Sequence, residues 1–187
     1  QQTRLLPAKR PGEVISGDLI VDLPKSPTGY RHALHMHDVC SNFGGMVLLK
    51  TRSASVHFLA WLKWLANTVR RSAVKVLIDG GELHTTALRD YVREVGGVIV
   101  VNLANVHSNM TIERRNRTIE ELSTAMLKHG GAPASFWEFT FPQANMIENM
   151  LPNRERLKKT GTPSPNKVSP LTPFEMVVNG MNTCNME

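Results

Sequence analysis

The chain has 187 residues, of which 41% are hydrophobic, so it is long and apolar enough for one domain with a substantial core. Its 22 lysines and arginines exceed its 16 aspartates and glutamates. The resulting net charge of +6 favours a polyanionic partner, with a well-solvated basic surface as the alternative. The sequence has neither an apolar run of about 18 residues, as a membrane span needs, nor a hydrophobic signal region, which argues against a membrane or secreted protein.

The N-terminal part of the chain is predicted to be a short linker followed by three strands. Residues 1–13 are basic and contain Pro7 and Pro11, a composition typical of a linker. Strand-like runs follow at residues 14–22, 31–38 and 46–50. Because short connections join these runs, the three strands are expected to form an antiparallel meander.

Helices and strands then alternate along the chain. Apolar residues recur at three- and four-residue steps after Ser53 and predict a long helix, and a second amphipathic helix is predicted at residues 85–95. Short β-branched runs at residues 73–78 and 98–101 predict a strand after each of these helices. Three strands followed by this alternation predict an α/β fold with a mixed five-stranded sheet and helices on both faces.

A further helix is predicted to begin in the polar stretch of residues 108–118. We expect the folded core to span residues 14–152. Lysines, prolines and a glycine then cluster near residues 158–165, which predicts that residues 153–187 form a linker and a C-terminal tail.

Two aspartates stand where strand-like runs are interrupted or end. Asp18 lies inside an apolar run, where a buried carboxylate without a partner is costly, although alternation along the strand also allows a solvent-facing position beside Asp22. Asp79 follows a buried strand at its carboxyl end, where ligand sites of α/β sheets gather, but an Asp before Gly-Gly is also an ordinary turn. Both aspartates are therefore candidate site residues with a plain structural alternative.

Glu113 is the third candidate carboxylate. It lies at the edge of a predicted buried stripe on its helix, formed by Ile112, Ile119, Leu122 and Met126. This position would let its side chain enter a cleft beside the sheet. The alternative is a first-turn glutamate that is favoured by the helix dipole and paired with Arg117 four residues on.

Three motifs follow one another along the chain: an Asp in the first strand, Asp-Gly-Gly-Glu at residues 79–82, and Glu-Arg-Arg-Asn-Arg-Thr at residues 113–118. Together they resemble the integrase core of copia-type LTR retrotransposons. Further similar segments lie at residues 36–41, 136–152 and 171–176. The resemblance covers roughly residues 13–180 and implies a ribonuclease-H-like fold, in agreement with the predicted order of strands and helices.

The resemblance implies a metal-dependent reaction on DNA. Phosphodiester attack builds negative charge around phosphorus, and two Mg²⁺ or Mn²⁺ ions held by three carboxylates stabilise the entering and leaving oxygens. Asp18 would contact both ions, Asp79 one and Glu113 the other. In the family such a site trims the DNA ends of the element with water, and the exposed 3′ hydroxyl then attacks target DNA.

The same resemblance implies the partners of the chain. Arg114, Arg115 and Arg117 are expected to lie along DNA, with a solvated helix face as the alternative, and Asn116 is expected to hold a phosphate or the loop before the helix. Phosphate contacts of this kind position a duplex without reading its sequence. The expected partners are the ends of the element and target DNA, and a homo-oligomer is expected. The chain would be part of a longer polyprotein, located in the nucleus or in a cytoplasmic virus-like particle before nuclear entry.

Departures from the family pattern support a second hypothesis. No Asn follows Asp79, and Met110 stands where the family usually has Gly, at the end of a loop over residues 102–110 that lacks the expected prolines. A catalytically inactive nucleic-acid-binding or assembly domain of the same fold, derived from a retroelement, is therefore the alternative function. A nuclease or transposase of this fold that acts on another nucleic acid is a third.

The second strand raises a separate metal hypothesis. His35 and His37 share one strand face, His32 and Asp38 are close in sequence, and imidazole with carboxylate can bind zinc. Because the integrase family has no metal site in this strand, the resemblance does not support it.

Overall fold

The structure is a computed structural model and describes residues 8–79, 81–102, 110–152 and 172–178. The strands are Val14–Ile20 (β1), His32–Asp38 (β2), Gly44–Leu49 (β3), Lys75–Asp79 (β4) and Val98–Asn102 (β5). The helices are Ser55–Val69 (α1), Thr86–Glu94 (α2), Met110–His129 (α3), Trp137–Met150 (α4) and Pro173–Val178 (α5). The predicted strands and helices are present, with ends that differ by one or two residues.

The strands form one five-stranded sheet in the order β3-β2-β1-β4-β5. The first three strands pair antiparallel, as the short connections between them predict, and β4 and β5 are parallel to β1. The helices between β3, β4 and β5 make the parallel crossovers. This mixed sheet with flanking helices confirms the predicted fold class.

One face of the sheet is covered by α1 and α2 and is strongly apolar. Phe58 of α1 is fully buried among the apolar side chains of β1, β2 and β4. A Cβ atom at Gly17 would lie 2.8 Å from the Phe58 ring, so the glycine lets the helix approach β1 closely. Burial of a phenylalanine of this kind contributes about 1.5–3 kcal/mol to stability.

The opposite face of the sheet is covered by α3 and α4. Its apolar part contains five buried side chains: Ala33, Ile119, Trp137, Phe141 and Ala144. Trp137 Nε1 donates to the Pro24 carbonyl at 2.6 Å, and Ser26 Oγ donates to Glu138 Oε2 at 2.9 Å. These two hydrogen bonds attach the first turn of α4 to the β1–β2 connection.

The two ends of the described chain also contact this core. Asp38 accepts from the Gly12 backbone N–H at 2.9 Å, which holds part of the predicted N-terminal linker against β2. In α5, Met176 and Val177 are buried, and the helix packs against α1 and α4. None of the described helices is both long and apolar enough to cross a membrane.

Candidate carboxylate site

Asp18 and Asp79 lie side by side on neighbouring strands. Gly17 of β1 pairs with Ile78 of parallel β4, so the next residue of each strand occupies the same register. Neighbouring strands are about 4.8 Å apart, and residues in register on parallel strands point to the same face. Although sixty residues separate them in sequence, the two aspartates are close together in the fold.

Asp18 faces α3 and is half-buried. The pKa of its carboxyl is raised, chiefly by burial and secondly by the negative charge of Asp79. Glu113 has a smaller effect in the same direction. Hydrogen bonds from the Leu19 backbone and from Asn116 oppose the rise. The solvent-facing alternative for Asp18 is therefore wrong, and the three acids share one electrostatic neighbourhood.

Glu113 lies one turn into α3, at the edge of the buried stripe predicted for this helix. Ile112 and Ile119 are 1% and 0% exposed, whereas Glu113 is exposed. Arg117 Nε lies 3.9 Å from Glu121 Oε1, so its ion pair is with Glu121 rather than with Glu113 as in the structural alternative. Glu113 is thus available to a ligand next to Asp18.

Asn116 connects the site to the sheet. Its Nδ2 donates to Asp18 Oδ2 at 2.6 Å, and its Oδ1 contacts His35 Nδ1. Burial lowers the pKa of His35 to about 3, with the positive charge of Arg115 as a further cause, so the imidazole is neutral and its Nδ1–H donates to Asn116. Asn116 is only 7% exposed, and both of its amide atoms are engaged within the protein. This differs from the DNA contact expected for Asn116: the residue orients Asp18.

The arginines that follow Glu113 differ in position. Arg114 and Arg117 are exposed, as expected for residues that contact DNA. Arg115 is 5% exposed, donates from Nη1 to the Asn42 carbonyl at 2.5 Å and from Nη2 to Asn149 Oδ1 at 2.8 Å. Burial lowers its pKa to about 10. The expectation that Arg115 lies along DNA is therefore wrong, because its guanidinium fixes α3 to the neighbouring elements.

At Gly44, β3 lies very close to α4, and hydrogen bonds join the two elements beside Arg115. Sequence reasoning missed this contact. Asn145 and Asn149 donate to the Gly44 carbonyl at 2.9 and 2.8 Å, and Asn149 accepts from the Gly44 N–H at 2.8 Å. A Cβ atom at Gly44 would lie 2.5 Å from Asn145 Oδ1 and 2.9 Å from Arg115 Nε. The only signal in the sequence was two asparagines four residues apart on a predicted helix.

The zinc hypothesis for β2 does not hold. His37 Nε2 lies 2.7 Å from Asn42 Oδ1, and Asp38 accepts from the backbone of Gly12 and Ser41 at 2.9 Å each. Burial raises the pKa of Asp38 to about 6. His37 and Asp38 are thus engaged in a buried turn, and among the described residues no group of three such side chains is spaced to hold a metal ion.

A metal ion requires several ligand atoms at coordinating distance. Within the described part of the chain, no group of three or more histidine, cysteine, aspartate or glutamate side chains is spaced to hold a metal ion. Asp18, Asp79 and Glu113 therefore lie close enough to interact electrostatically but not at ligand spacing. Their donor chemistry still fits Mg²⁺ or Mn²⁺, because these hard cations prefer carboxylate oxygens and would relieve the repulsion that raises the pKa of Asp18. Most of the predicted loop before α3, residues 103–109, lies outside the described residues.

The sheet order and helix positions define a ribonuclease-H-like fold of the integrase catalytic-core type. One solved structure that shares it is a chain of the simian T-cell lymphotropic virus intasome in complex with PP2A regulatory subunit B56 gamma, with a TM-score of 0.64 and 13% identity. The match covers 94% of this chain and 58% of that one, so the chain spans less than two thirds of that neighbour.

The HTLV-2 integrase catalytic core domain in complex with magnesium shares the fold as well. Its trimeric form gives a TM-score of 0.58 and its dimeric form 0.57, each at 14% identity. These matches cover 90% and 89% of this chain and 97% of each neighbour. No protein-family model matches the sequence, and no curated protein matches it. At these identities the similarity establishes the fold.

Proposed function

We propose that the chain is the integrase catalytic core of a copia-type LTR retrotransposon, which processes DNA ends and joins them to target DNA. The observation that carries this proposal is the convergence of Asp18, Asp79 and Glu113, whose negative charges act together on the pKa of Asp18. The ribonuclease-H-like fold supports it, because Asp18 and Asp79 lie on adjacent strands and Glu113 lies on the helix that covers them. The proposed core spans residues 14–152.

Each acid has a proposed role in this reaction. Two Mg²⁺ or Mn²⁺ ions, when bound, stabilise the charge on the entering and leaving oxygens of the phosphodiester. Asp18 would contact both ions, Asp79 one and Glu113 the other. Asn116 holds Asp18 Oδ2 from the α3 side, so the direction of the carboxylate is set before any ligand arrives.

The proposed DNA partners, the element ends and the target, are supported by charge. Arg114 and Arg117 are exposed on α3, one and four residues after Glu113, where they would contact DNA phosphates. The net charge of +6 adds a general attraction for DNA. We place the protein, as part of a longer polyprotein, in the nucleus or in a virus-like particle before nuclear entry.

The expected homo-oligomer is supported by α4, which is apolar on two sides. Its inner side contacts the sheet, and its outer side exposes Phe139, Met146 and Met150 at 59%, 55% and 52%. These three residues are seven and four positions apart, so they form one stripe along the helix. The HTLV-2 neighbours are described as trimeric and dimeric, and a second copy is the occupant we propose for this stripe.

The second candidate function, an inactive nucleic-acid-binding domain, is favoured by one observation. The three acids are not at the spacing that metal ligation requires. In that case the exposed arginines would still bind DNA, but specific divalent-metal affinity would be absent.

The test is strand transfer of a labelled short duplex by the purified chain with Mn²⁺. Glu113→Gln is compared with Glu120→Gln, a control on an exposed position of the same helix. Joined product that is lost in Glu113→Gln and kept in Glu120→Gln is the expected result. Inactivity of all three proteins, together with retained DNA binding and no Mn²⁺ binding by calorimetry, would establish the inactive domain instead.

A further inference from the structure

A basic groove lies where the C-terminal end of α1 meets α2. It has a volume of about 590 Å³, and its polar lining comprises Lys63, Asn67, Arg70, Arg71, Ser72 and Tyr91. Three of these side chains are cations, and no carboxylate lines the groove. The groove therefore carries a local excess of positive charge in a concave surface, which raises the local concentration of anions.

Within the described residues, the cations of this groove form no ion pair. The ion pairs found among the described residues involve only Arg52 and Arg117 as the basic partner. Lys63 Nζ lies 5.4 Å from the centre of the Tyr91 ring, which keeps the ammonium at the groove without removing its charge. Among the described acids, Glu94 of α2 has an electrostatic effect on Tyr91.

The spacing of the cations along α1 also matches the spacing of phosphates in a nucleic-acid strand. Lys63, Asn67 and Arg70 are four and three residues apart, so they lie on one side of α1 and span roughly 10 Å along its axis. A nucleic-acid strand has a phosphate about every 3.4 Å along a duplex axis, so this span covers about three phosphates. Arginines at a helix C-terminus are also favoured by the helix dipole, but Lys63 lies almost two turns earlier, where that effect has faded.

Arg70 occupies an unusual position for a large cation. It caps α1 in the left-handed conformation, with φ 52° and ψ 42°, where helices usually place glycine. The backbone N–H of Arg70 donates to the Ala66 carbonyl, which fixes the turn and directs Arg70 and Arg71 out of the same helix end.

The groove is remote from the carboxylate site. A Cβ atom at Gly12 would touch Val69, which places the end of α1 next to the start of β1, and Lys75 starts β4 at the same edge of the sheet. Asp79 ends β4 four residues on, roughly 13 Å away. In addition, α1 covers the apolar face of the sheet, whereas Asp18 faces α3. One phosphate cannot contact both sites.

We propose that this groove is a second nucleic-acid-binding site, which takes the phosphate backbone of a strand that is not in the carboxylate site. This goes beyond the proposed function, which needs only the DNA contacts next to Glu113. Arg70 and Arg71 contact phosphates, and Lys63 and Asn67 extend the contact along α1. The half-exposed Tyr91 adds an aromatic surface at the edge of the groove.

The experiment measures binding of a fluorescent 30-base-pair duplex to the full chain in EDTA, so that no divalent ion takes part. The double variant Arg70→Ala/Arg71→Ala is compared with Arg89→Ala/Arg93→Ala, which removes the same charge from exposed positions of α2 outside the groove. Loss of two phosphate contacts should reduce the slope of log K against log salt by about 1.8, and affinity by about tenfold or more near physiological salt. The control should change the slope by less than half as much.

Equal effects of the two double variants, or no effect of either, would overturn the proposal, because the attraction would then come from overall charge. Arg70→Lys/Arg71→Lys should restore the slope, since lysine also contacts phosphate as a point charge. If the alanine double variant fails to fold by circular dichroism, Lys63→Ala replaces it, with an expected slope loss of about 0.9. Equal competition by poly-glutamate at matched charge would show a site for acidic chains and overturn the nucleic-acid assignment. Strand transfer with Glu113→Gln is read separately, so failure of one proposal leaves the other intact.

Discussion

The two faces of the sheet are each covered by helices, but they are held by different interactions. Beneath α1 the contact is almost entirely apolar, and Phe58 packs directly on Gly17. Beneath α3 and α4 the contact includes buried polar side chains, with Asn116 and Arg115 hydrogen-bonded across elements. Apolar packing depends on volume and tolerates small shifts, whereas hydrogen bonds require set distances and angles. The polar face is thus suited to hold Asp18 and Glu113 in a defined relation.

The largest expected effect is on the apolar face. Phe58→Ala should lower the free energy of unfolding by about 3–5 kcal/mol, because it removes a fully buried ring and leaves a cavity under α1. Urea denaturation measures the change. The control Val56→Ala, at an exposed position of α1, should stay within about 0.5 kcal/mol. Similar losses for both variants would mean that the apolar face does not carry the stability assigned to it.

The next effect concerns the close approach on the polar face. Gly44→Ala should cost about 1–3 kcal/mol, because the new Cβ would press on Asn145 and Arg115. Gly81→Ala is the matched control, since a Cβ there meets no atom within 4 Å. The measurement is the urea midpoint of each variant, which should be lower for Gly44→Ala than for Gly81→Ala. Equal midpoints would contradict the tight contact at Gly44.

A pH effect separates the faces further, because the two fully buried histidines, His35 and His37, lie under α3. Burial lowers the pKa of His35 to about 3 and that of His37 well below 6.5. The unfolded chain therefore binds more protons than the folded one as the pH falls below 6.5, and stability is lost in that direction. Each such histidine changes the free energy of unfolding by about 1.4 kcal/mol per pH unit.

Asp38 acts in the opposite direction. Its pKa is raised to about 6, so the folded state binds its proton first and gains stability between pH 6 and about 4. For these three groups together, the expectation between pH 6 and 4 is a loss of about 1.4 kcal/mol per unit, measured by urea denaturation at several pH values. Asp18, whose pKa is also raised, reduces this loss. His35→Gln should remove most of the remaining slope, while His129→Gln, at an exposed position, should leave it unchanged. A flat profile for the unmodified chain would show that the two histidines are hydrated.

The smallest expected effect is the coupling between His35 and Asn116. A double-mutant cycle with His35→Ala and Asn116→Ala should give a coupling energy of about 1 kcal/mol, since the two side chains share a buried hydrogen bond. The same cycle with Asn67→Ala in place of Asn116→Ala should give none, because Asn67 lies on α1 across the sheet. If the stability losses of the two single variants simply add in the first cycle, His35 does not stabilise Asn116 and has no part in positioning Asp18.

Much of the fold could be predicted from local patterns. The three strand-like runs and the alternation after them predicted the sheet and its mixed character, because strand pairing follows from short connections and parallel crossovers need a helix. The helix over Met110–His129 and its buried side were predicted from apolar spacing. The short helix α5 was missed, because six residues after a proline-rich stretch give too little periodicity.

The site was predicted only in part. The motif identified Asp18, Asp79 and Glu113 as candidates, and the fold brings them into one neighbourhood. The sequence favoured exposure for Arg115 and Asn116, because neighbouring positions at a basic helix start all read as polar surface. The rotation of α3 about its axis, relative to the sheet, decides which side chains of the stretch Arg114–Arg117 are buried. This rotation cannot be predicted from the local sequence.

By itself, the sequence determined the order and type of the secondary structure and the basic charge, because periodicity and composition are properties of neighbouring residues. The candidate acids came from the resemblance of its motifs to an integrase core. The tertiary structure alone decided that Asp18 lies in register with Asp79 and that Asn116 spans Asp18 and His35. It also decided that Lys63, Arg70 and Arg71 meet Tyr91 in one groove. These contacts join residues that are far apart in the chain, and they form only when the sheet order and the packing of each helix are set.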